Sequence, residues 1–364
     1  MRKVIVKLEN VSKCFIKDKY VIKNLDLEVY EGEFLTFLGS SGCGKTTILR
    51  MISGLESVSS GKVYIDGIDV TNLDPTKREV NTIFQNFALF PHMTVFENIA
   101  FGLRMQKRPK KEIISRVNKV IKLVELEGLE NRYPSQISGG QQQRVAIARG
   151  IVMNPKVLLL DESLASLDLK LKRQMQIELK KIQKKLGITF IYVTHDQDEA
   201  LTMSDRIIII ENGLIEQEGT PSDIYRNPKS AFVADFIGES NIFYGEIEKT
   251  FEDSFDLKIT NSIIININKE VNLKTGDKLK IMIRPEDIKI SHNELKNSFK
   301  GIINDVIYDG AITKLFINLD NLKVKVNTHG VVDYKEKETI YLKFDKENIV
   351  PLLRSKNEKS QESI

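Results

Sequence analysis

Cysteine and histidine are both scarce in this chain of 364 residues. The two cysteines, Cys14 and Cys43, cannot build a disulfide framework, so the sequence favours a reducing compartment. The four histidines lie far apart and lack the spacing of a metal site: His92, His195, His292 and His329. We therefore expect neither a disulfide scaffold nor a histidine-based metal centre.

Long hydrophobic runs are also absent from the sequence. No stretch approaches the ~18 apolar residues of a membrane-spanning helix, and charge interrupts the apolar residues of segment 1–9, so we expect no signal peptide. A total of 54 Lys and Arg against 50 Asp and Glu gives a net charge of +4, which is too balanced to indicate a nucleic-acid partner. Any membrane role is expected to be peripheral, and the length suits roughly two or three domains.

One glycine-rich stretch, residues 39–47, fits the pattern G-x-x-x-x-G-K-[ST]. It lies between a predicted buried strand, residues 34–38, and a predicted helix that begins at Thr46. We expect its N–H groups to surround a polyphosphate, with Lys45 at the β- and γ-phosphates, Thr46 at Mg²⁺ and Thr47 near the α-phosphate. A chance glycine-rich turn is the alternative. The predicted ATP-binding residues here are Gly39, Ser40, Ser41, Gly42, Cys43, Gly44, Lys45, Thr46 and Thr47.

Three further predicted strands end in polar residues that suit phosphate chemistry. Gln85 could hold Mg²⁺ or orient the attacking water, although a lone glutamine is more often a surface amide. Asp161 is expected to hold Mg²⁺, and Glu162 to polarise the water that attacks the γ-phosphate; a solvated strand end is the alternative. His195 could contact the γ-phosphate or the catalytic carboxylate, against the ordinary expectation that a lone histidine is not catalytic.

A second anion site is predicted where Ser138, Gly139 and Gly140 precede a helix. A serine N-cap followed by two glycines exposes a hydroxyl and bare N–H groups at the positive end of the helix dipole. An ordinary helix N-terminus is the alternative. Two such ends in one chain suggest that two copies share a nucleotide.

An aromatic residue for the adenine is predicted among the antiparallel strands of residues 4–37. Phe15 is the first candidate and Tyr20 the second, while packing of Phe15 in the core is equally compatible with the pattern.

Two helices are predicted from apolar spacing farther along the chain. The apolar positions of residues 110–126 predict an amphipathic core helix. The helix near Leu171 to Leu186 has one apolar face, and the lysines opposite that face are interpreted as solvated.

With these residues assembled, the chain resembles the ATP-binding cassette (ABC) transporter ATPases over almost its whole length. The resemblance implies an α/β P-loop ABC ATPase domain with a helical subdomain at about 87–153, the cofactors ATP and Mg²⁺, and a homodimer. The matching motifs are the Walker A loop (39–47), the Q-loop (Gln85), the signature motif (Ile137 to Gln141, with Ile where Leu is usual), Walker B (Leu158 to Glu162), the D-loop (Ser166 to Asp168), the switch histidine (His195) and the aromatic A-loop position (Phe15). Gln141 and Asp168 thereby join the predicted nucleotide-binding residues, and Gln85 the predicted metal ligands.

Within that superfamily the chain is most similar to the ATP-binding subunits of bacterial polyamine importers. Stretches 81–98, 102–106 and 188–206 carry this likeness, as does Ser163 where most relatives have Pro. The order Ala165-Ser166 inverts the usual pair before the D-loop. The resemblance implies two integral membrane permeases, an external binding protein and a peripheral location on the cytoplasmic face of the inner membrane. Iron(III), sulfate or sugar importers share part of the pattern; a single cassette without long heptads disfavours soluble ribosome- or DNA-acting members.

The apolar residues that follow Gln85 predict a surface for the permeases. Phe87, Leu89 and Phe90, followed by Pro91, suit a groove that receives a short permease helix. Internal packing of the helical insertion is the alternative.

A second domain is predicted to follow the first near Gly238. Short strand patterns alternate with turns up to Pro351 and imply a small β-barrel. The stretch 283–286 resembles the OB-like accessory barrel of importer ATPases. The predicted domains are therefore 1–238 and 239–353, with a disordered tail at 354–364.

Overall fold

The computed structural model describes residues 2–17, 19–164, 168–268 and 273–352. Its contacts divide the chain into two compact units, residues 1–221 and 222–364. Within the described ranges, no helix is both long enough and apolar enough to cross a membrane. The predicted disordered tail lies outside the described residues.

The first unit alternates strands and helices along the chain. Its strands are β1 (Val4–Ile16), β2 (Lys19–Tyr30), β3 (Phe34–Leu38), β4 (Ser60–Ile65), β5 (Ile68–Asp69), β6 (Val80–Ile83), β7 (Val157–Asp161), β8 (Thr189–Thr194), β9 (Arg206–Glu211) and β10 (Leu214–Gly219). Its helices are α1 (Lys45–Ser53), α2 (Val95–Met105), α3 (Lys110–Leu123), α4 (Gly139–Ile151), α5 (Leu169–Leu186) and α6 (Gln197–Met203).

A six-stranded sheet forms the centre of this unit, in the order β10-β9-β3-β8-β7-β6. Strands β9, β3, β8, β7 and β6 are parallel, and β10 pairs antiparallel with β9. Every residue of β3 and β8 is buried, as expected for parallel strands covered on both faces. The predicted buried strand at 34–38 is thus confirmed. Because β3, β6, β7 and β8 run in one direction, the residues that follow them meet at one edge of the sheet.

A four-stranded antiparallel sheet, in the order β2-β1-β4-β5, packs with α1 and one face of the central sheet. The predicted alternation in β2 is confirmed, because Leu25, Leu27 and Val29 are buried whereas Asp26 and Glu28 are exposed. The opposite face contributes to a second core with α2, α3, α4 and α5. The predicted amphipathic helix is α3, which buries one apolar face and ends at Leu123.

Among its described residues, the second unit contains two short helices and two antiparallel sheets, and its core combines aliphatic side chains with Phe243, Phe255 and Phe344. The helices are α7 (Pro221–Arg226) and α8 (Ala231–Phe236). The sheet order is β13-β12-β11-β14-β20 in one and β15-β19-β16-β17-β18 in the other. The strands are β11 (Asn241–Thr250), β12 (Ser254–Lys258), β13 (Ile264–Asn268), β14 (Lys278–Ile283), β15 (Ile288–Ser291), β16 (Ser298–Asp309), β17 (Ile312–Leu319), β18 (Leu322–His329), β19 (Thr339–Phe344) and β20 (Val350–Leu352).

One buried arginine explains why contacts assign residues 222–238 to the second unit. The Arg284 side chain, 3% exposed, donates to the carbonyl oxygens of Tyr225, Ala234 and Gly238. Its guanidinium therefore satisfies carbonyl groups at and beyond the ends of α7 and α8. The domain boundary near residue 238 remains a prediction.

Candidate functional site

The glycine-rich loop joins β3 to α1 at the carboxyl edge of the central sheet. Lys45 is only 5% exposed, and its Nζ donates to the carbonyl oxygens of Gly39 and Ser40, at 2.8 Å each. Gly44, the N-cap of α1, has a φ of 106°, and no side chain caps this helix. A Cβ on Gly39 would lie 2.2 Å from the Ile210 carbonyl oxygen. The loop thus needs glycine at both positions and leaves backbone N–H groups of α1 available to an anion.

Asp161, the last residue of β7, reaches this loop. The Thr46 hydroxyl donates to Asp161 Oδ1 at 3.1 Å. Burial raises the pKa of Asp161, the Thr46 hydrogen bond opposes this, and the neighbouring Glu162 carboxylate raises it further. A hydroxyl and a half-buried carboxylate together are oxygen ligands of the kind that a hard divalent cation takes, so these two residues fit the predicted Mg²⁺ ligands.

Glu162 lies between the two other predicted catalytic side chains. Its Oε1 is 3.0 Å from His195 Nδ1, and its Oε2 is 3.5 Å from Gln85 Nε2. The backbone of Glu162 has a φ of 45°, which is a strained conformation for a non-glycine residue, and its N–H donates to the Val193 carbonyl at 3.0 Å. Backbone strain of this kind concentrates at functional sites. The structure therefore brings Gln85, Glu162 and His195 together.

A charged network beside His195 was missed in the sequence. Glu199, 1% exposed, accepts hydrogen bonds from the hydroxyls of Tyr192 and Thr194, and it pairs with Lys172 Nζ at 2.8 Å. Lys172 also binds Asp196, at 2.6 Å. The interpretation of the α5 lysines as a solvated face is wrong for Lys172. The available signal was spacing, because Lys172 and Glu199 follow Asp168 and His195 by one helical turn.

The second predicted anion site is the N-terminus of α4. The Ser138 hydroxyl accepts from Gln141 N at 3.4 Å, and Gln141 Oε1 accepts from Ser138 N at 2.9 Å, which completes a capping box. Ser138 and Gly139 are exposed, whereas Gly140 is buried. The Ser138 hydroxyl accepts in this cap, so its O–H proton stays available to a ligand.

The remaining predicted nucleotide residues lie at the surface. Phe15 is 59% exposed and Tyr20 is 52% exposed, so the alternative of a core position for Phe15 is not found. Asp168 is the exposed N-cap of α5 and accepts from Leu171 N at 3.0 Å. The rest of the D-loop prediction, residues 165–167, lies outside the described part of the chain.

The segment after Gln85 divides between the interior and the surface. Phe87 is 6% exposed and belongs to the core of the helical region, so its expected place in a surface groove is wrong. Leu89 and Phe90 are half-buried, and Pro91 is exposed. The Phe90 ring packs on Phe101, with centroids 4.6 Å apart.

Comparisons with known proteins match two regions of the chain to known families. The ABC transporter family model matches residues 22–165, and the TOBE domain model matches residues 281–352. The spermidine/putrescine import ATP-binding protein PotA of Aliivibrio fischeri (strain ATCC 700601 / ES114) is 50% identical over 327 residues, 88% of this chain and 86% of the relative. The PotA protein of Escherichia coli (strain K12) is 50% identical over 323 residues, 88% of this chain and 85% of the relative.

Two solved structures resemble 60–61% of the chain. The ATP-binding cassette MJ0796, in a dimeric post-hydrolysis state bound to ADP and Pi, has a TM-score of 0.53 and 38% identity over 60% of this chain and 99% of its own. The cassette cbiO1 of Clostridium perfringens has a TM-score of 0.57 and 30% identity over 61% of this chain and 90% of its own.

The fold, the phosphate loop and the carboxylate pair together define an ATP-binding cassette ATPase of the transporter class, with a C-terminal OB-like TOBE domain. Half of the aligned residues are identical across most of the length of both chains. The chain belongs to the family of spermidine/putrescine import ATP-binding proteins.

Proposed function

We propose that this chain is the ATP-hydrolysing subunit of a bacterial importer of spermidine and putrescine. The observation that carries the proposal is the position of Glu162, 3.0 Å from His195 and one residue from the Asp161 carboxylate that contacts Thr46. These groups combine a phosphate-binding loop with a candidate general base. Family membership supports the coupling of this hydrolysis to polyamine uptake.

Residues of the loop and of β7 bind the nucleotide in this proposal. Backbone N–H groups from Gly39 to Thr47 surround the phosphates, and the Lys45 ammonium exchanges its carbonyl partners for β- and γ-phosphate oxygens. Thr46 and Asp161, with Gln85, supply oxygen ligands for Mg²⁺, which when bound neutralises phosphate charge. The exposed face of Phe15 stacks on the adenine.

Hydrolysis depends on Glu162, with His195 as its positioning partner. The Glu162 carboxylate accepts a proton from water while the water oxygen attacks the γ-phosphorus, and the bond to the bridging oxygen of ADP breaks. The hydrogen bond with His195 holds one carboxylate oxygen, so the other can face the water. Gln85, 3.5 Å from that second oxygen, orients the same water.

A second copy of the chain completes the site. The γ-phosphate held by Lys45 of one copy is capped by the other copy through Ser138, Gly139, Gly140 and Gln141. Asp168 of the D-loop contributes to the same shared site. The exposed and capped N-terminus of α4 supports this, as does the dimeric state of the related cassette. The dimer binds two membrane permeases through the half-buried Leu89 and Phe90, and an external binding protein delivers the polyamine. We place the subunit on the cytoplasmic face of the inner membrane.

Substituting Glu162 with Gln tests the proposal. The amide cannot accept the proton, so hydrolysis falls by about 10²- to 10⁴-fold while the loop still binds ATP. Size-exclusion chromatography with ATP should then reveal an accumulated dimer. The matched control is Glu127→Gln, which neutralises an exposed carboxylate beyond α3 and should retain parental hydrolysis. Parental hydrolysis by Glu162→Gln itself would overturn the assignment.

A further inference from the structure

Two consecutive residues of the segment after Gln85 have left-handed backbone conformations. The φ angles are 58° for Phe87 and 45° for Ala88, and neither residue is glycine. L-residues rarely adopt this conformation, because their Cβ crowds the following carbonyl oxygen. A pair of such residues persists only where surrounding contacts hold it.

Arg149, on the last turn of α4, supplies those contacts. Its Nη1 donates to the Ala88 carbonyl oxygen and its Nη2 to the Phe87 carbonyl oxygen, both at 2.8 Å. Its Cζ also lies 5.5 Å from the centre of the Phe90 ring. Burial lowers the pKa of the Arg149 guanidinium, as expected for a group removed from water. The planar fork of arginine fits two adjacent carbonyl groups at once, which a lysine ammonium cannot do with the same geometry.

A second side chain, that of Asn98, holds the segment at Phe90. Asn98 of α2 is fully buried; its Oδ1 accepts from Phe90 N at 2.9 Å, and its Nδ2 donates to the carbonyl oxygens of Phe90 and Met93. The side chain of Phe87 enters the core beneath. The backbone is therefore fixed from within while Leu89 and Pro91 stay accessible.

We propose that Arg149 is a positioning residue that holds Phe87 and Ala88 in the left-handed conformation, and so presents the surface of Leu89, Phe90 and Pro91 ready-made to a permease helix. The inference rests on the proposed function, because it assumes that permeases dock on this surface. A preformed surface binds more tightly since no ordering cost is incurred on docking. The same helix, α4, carries the proposed γ-phosphate contact at its first turn and this clamp at its last.

Four variants separate this role from simple stabilisation. Arg149→Ala removes the clamp, Arg149→Lys keeps the charge without the fork, Ala88→Val disfavours the left-handed conformation at an exposed position, and Ala88→Gly favours it. The measurement is the Kd of folded chain for its permease pair in lipid nanodiscs, with the folded fraction taken from thermal melts. The matched control is Arg116→Ala, which removes a half-buried arginine paired with Glu112 on α3.

Arg149→Ala is expected to weaken permease binding by about tenfold. The free energy of hydrogen bonds from a charged donor, which holds the segment before docking, would then become an ordering cost on docking. Arg149→Lys is expected to bind with an affinity between those of Arg149→Ala and the parental chain. Ala88→Val should weaken binding although Arg149 is intact, and Arg116→Ala should keep the parental affinity. Adding Ala88→Gly to Arg149→Ala should recover part of the loss, because glycine adopts the left-handed conformation without the clamp. Should Arg149→Ala fail to fold, Ala88→Val and Arg149→Lys carry the test.

Parental Kd in both Arg149→Ala and Ala88→Val, or no recovery with Ala88→Gly, would overturn the inference. A purely structural role predicts fewer folded molecules with parental Kd. The proposed function fails separately, when the parental chain itself neither binds polyamine permeases nor supports ATP-driven spermidine uptake with them.

Discussion

The N-termini of α1 and α4 are both predicted to bind phosphate, yet they are built in opposite ways. Helix α1 begins at Gly44 without a side-chain cap, and the neighbouring Lys45 is 5% exposed. Helix α4 begins at Ser138 with a complete capping box, and Ser138 and Gly139 are exposed. The α1 end leaves its N–H groups available to a ligand that the same chain binds. The α4 end satisfies part of its hydrogen bonding through the capping box, and its first residues are exposed.

This difference assigns the two ends separate tasks. An uncapped helix N-terminus retains unsatisfied N–H donors, so a bound phosphate gains their hydrogen bonds and the helix dipole together. A capped and exposed terminus is stable without a ligand and offers only a hydroxyl proton and the first N–H groups. The α1 end suits tight binding of nucleotide by one chain, and the α4 end suits a contact completed when two copies meet.

The largest effect is expected when the two ends are damaged in different chains. Lys45→Ala should weaken ATP binding by about 10- to 100-fold, because it removes a charged hydrogen-bond donor. Gly139→Asp should leave ATP binding by a single chain intact but block ATP-dependent association, since its carboxylate repels the γ-phosphate. Mixing the two variants should restore association, because one of the two composite sites then carries no lesion. Analytical ultracentrifugation with ATP measures this.

The controls for this mixing experiment are thermal melts and the two homodimers. Aspartate in the first turn of a helix favours the dipole, so Gly139→Asp should fold normally. Failure to recover association on mixing, with both chains folded, would argue that each chain binds nucleotide independently.

Sequence alone located most of the candidate site for a physical reason. The phosphate loop is largely local, because the Lys45 hydrogen bonds and the positive φ of Gly44 arise within nine residues, whereas the close approach at Gly39 comes from the distant Ile210 carbonyl. Glu162 and His195 were found because the carboxyl ends of parallel strands meet at one edge of a sheet.

Contacts between distant residues escaped the sequence reading. Arg149 meets Phe87 across 62 positions, and no local pattern marks that pair. Lys172 meets Glu199 across 27 positions, so the spacing of each residue from its own motif does not show that the two side chains pair. Phe87 also has a left-handed backbone conformation that no sequence pattern predicts, and this predicted surface residue lies in the core.

A smaller effect is expected from the α4 cap itself. Ser138→Ala removes the oxygen that accepts from Gln141 N, and loss of such a cap costs about 1 kcal/mol. Calorimetry should show the melting transition of the first unit lowered by about 2–4 °C. Ser138→Thr retains a hydroxyl and should melt near the parental temperature. Helix α1 has no side chain to lose in this way, so an unchanged Tm for Ser138→Ala would remove the contrast between the two ends.

The smallest effect concerns the carboxylate beside α1. The raised pKa of Asp161 means that the folded chain disfavours its charged form, chiefly through burial and also through Glu162. The resulting destabilisation is absent below the ordinary aspartate pKa and complete once the pH exceeds the raised value.

Asp161→Asn should therefore raise the Tm of the nucleotide-free chain at pH 7, and this gain should shrink as the pH falls through the raised pKa. The same variant should lose the additional Tm that Mg²⁺ and ATP confer, because binding stabilises only a chain that holds the ligand. Differential scanning fluorimetry from pH 4 to 8 measures both, with Glu127→Gln as the control for loss of one exposed charge. A lower Tm for Asp161→Asn at pH 7, or a Tm gain that persists in acid, would contradict the conclusion that the α1 end is suited to a ligand at a cost in stability.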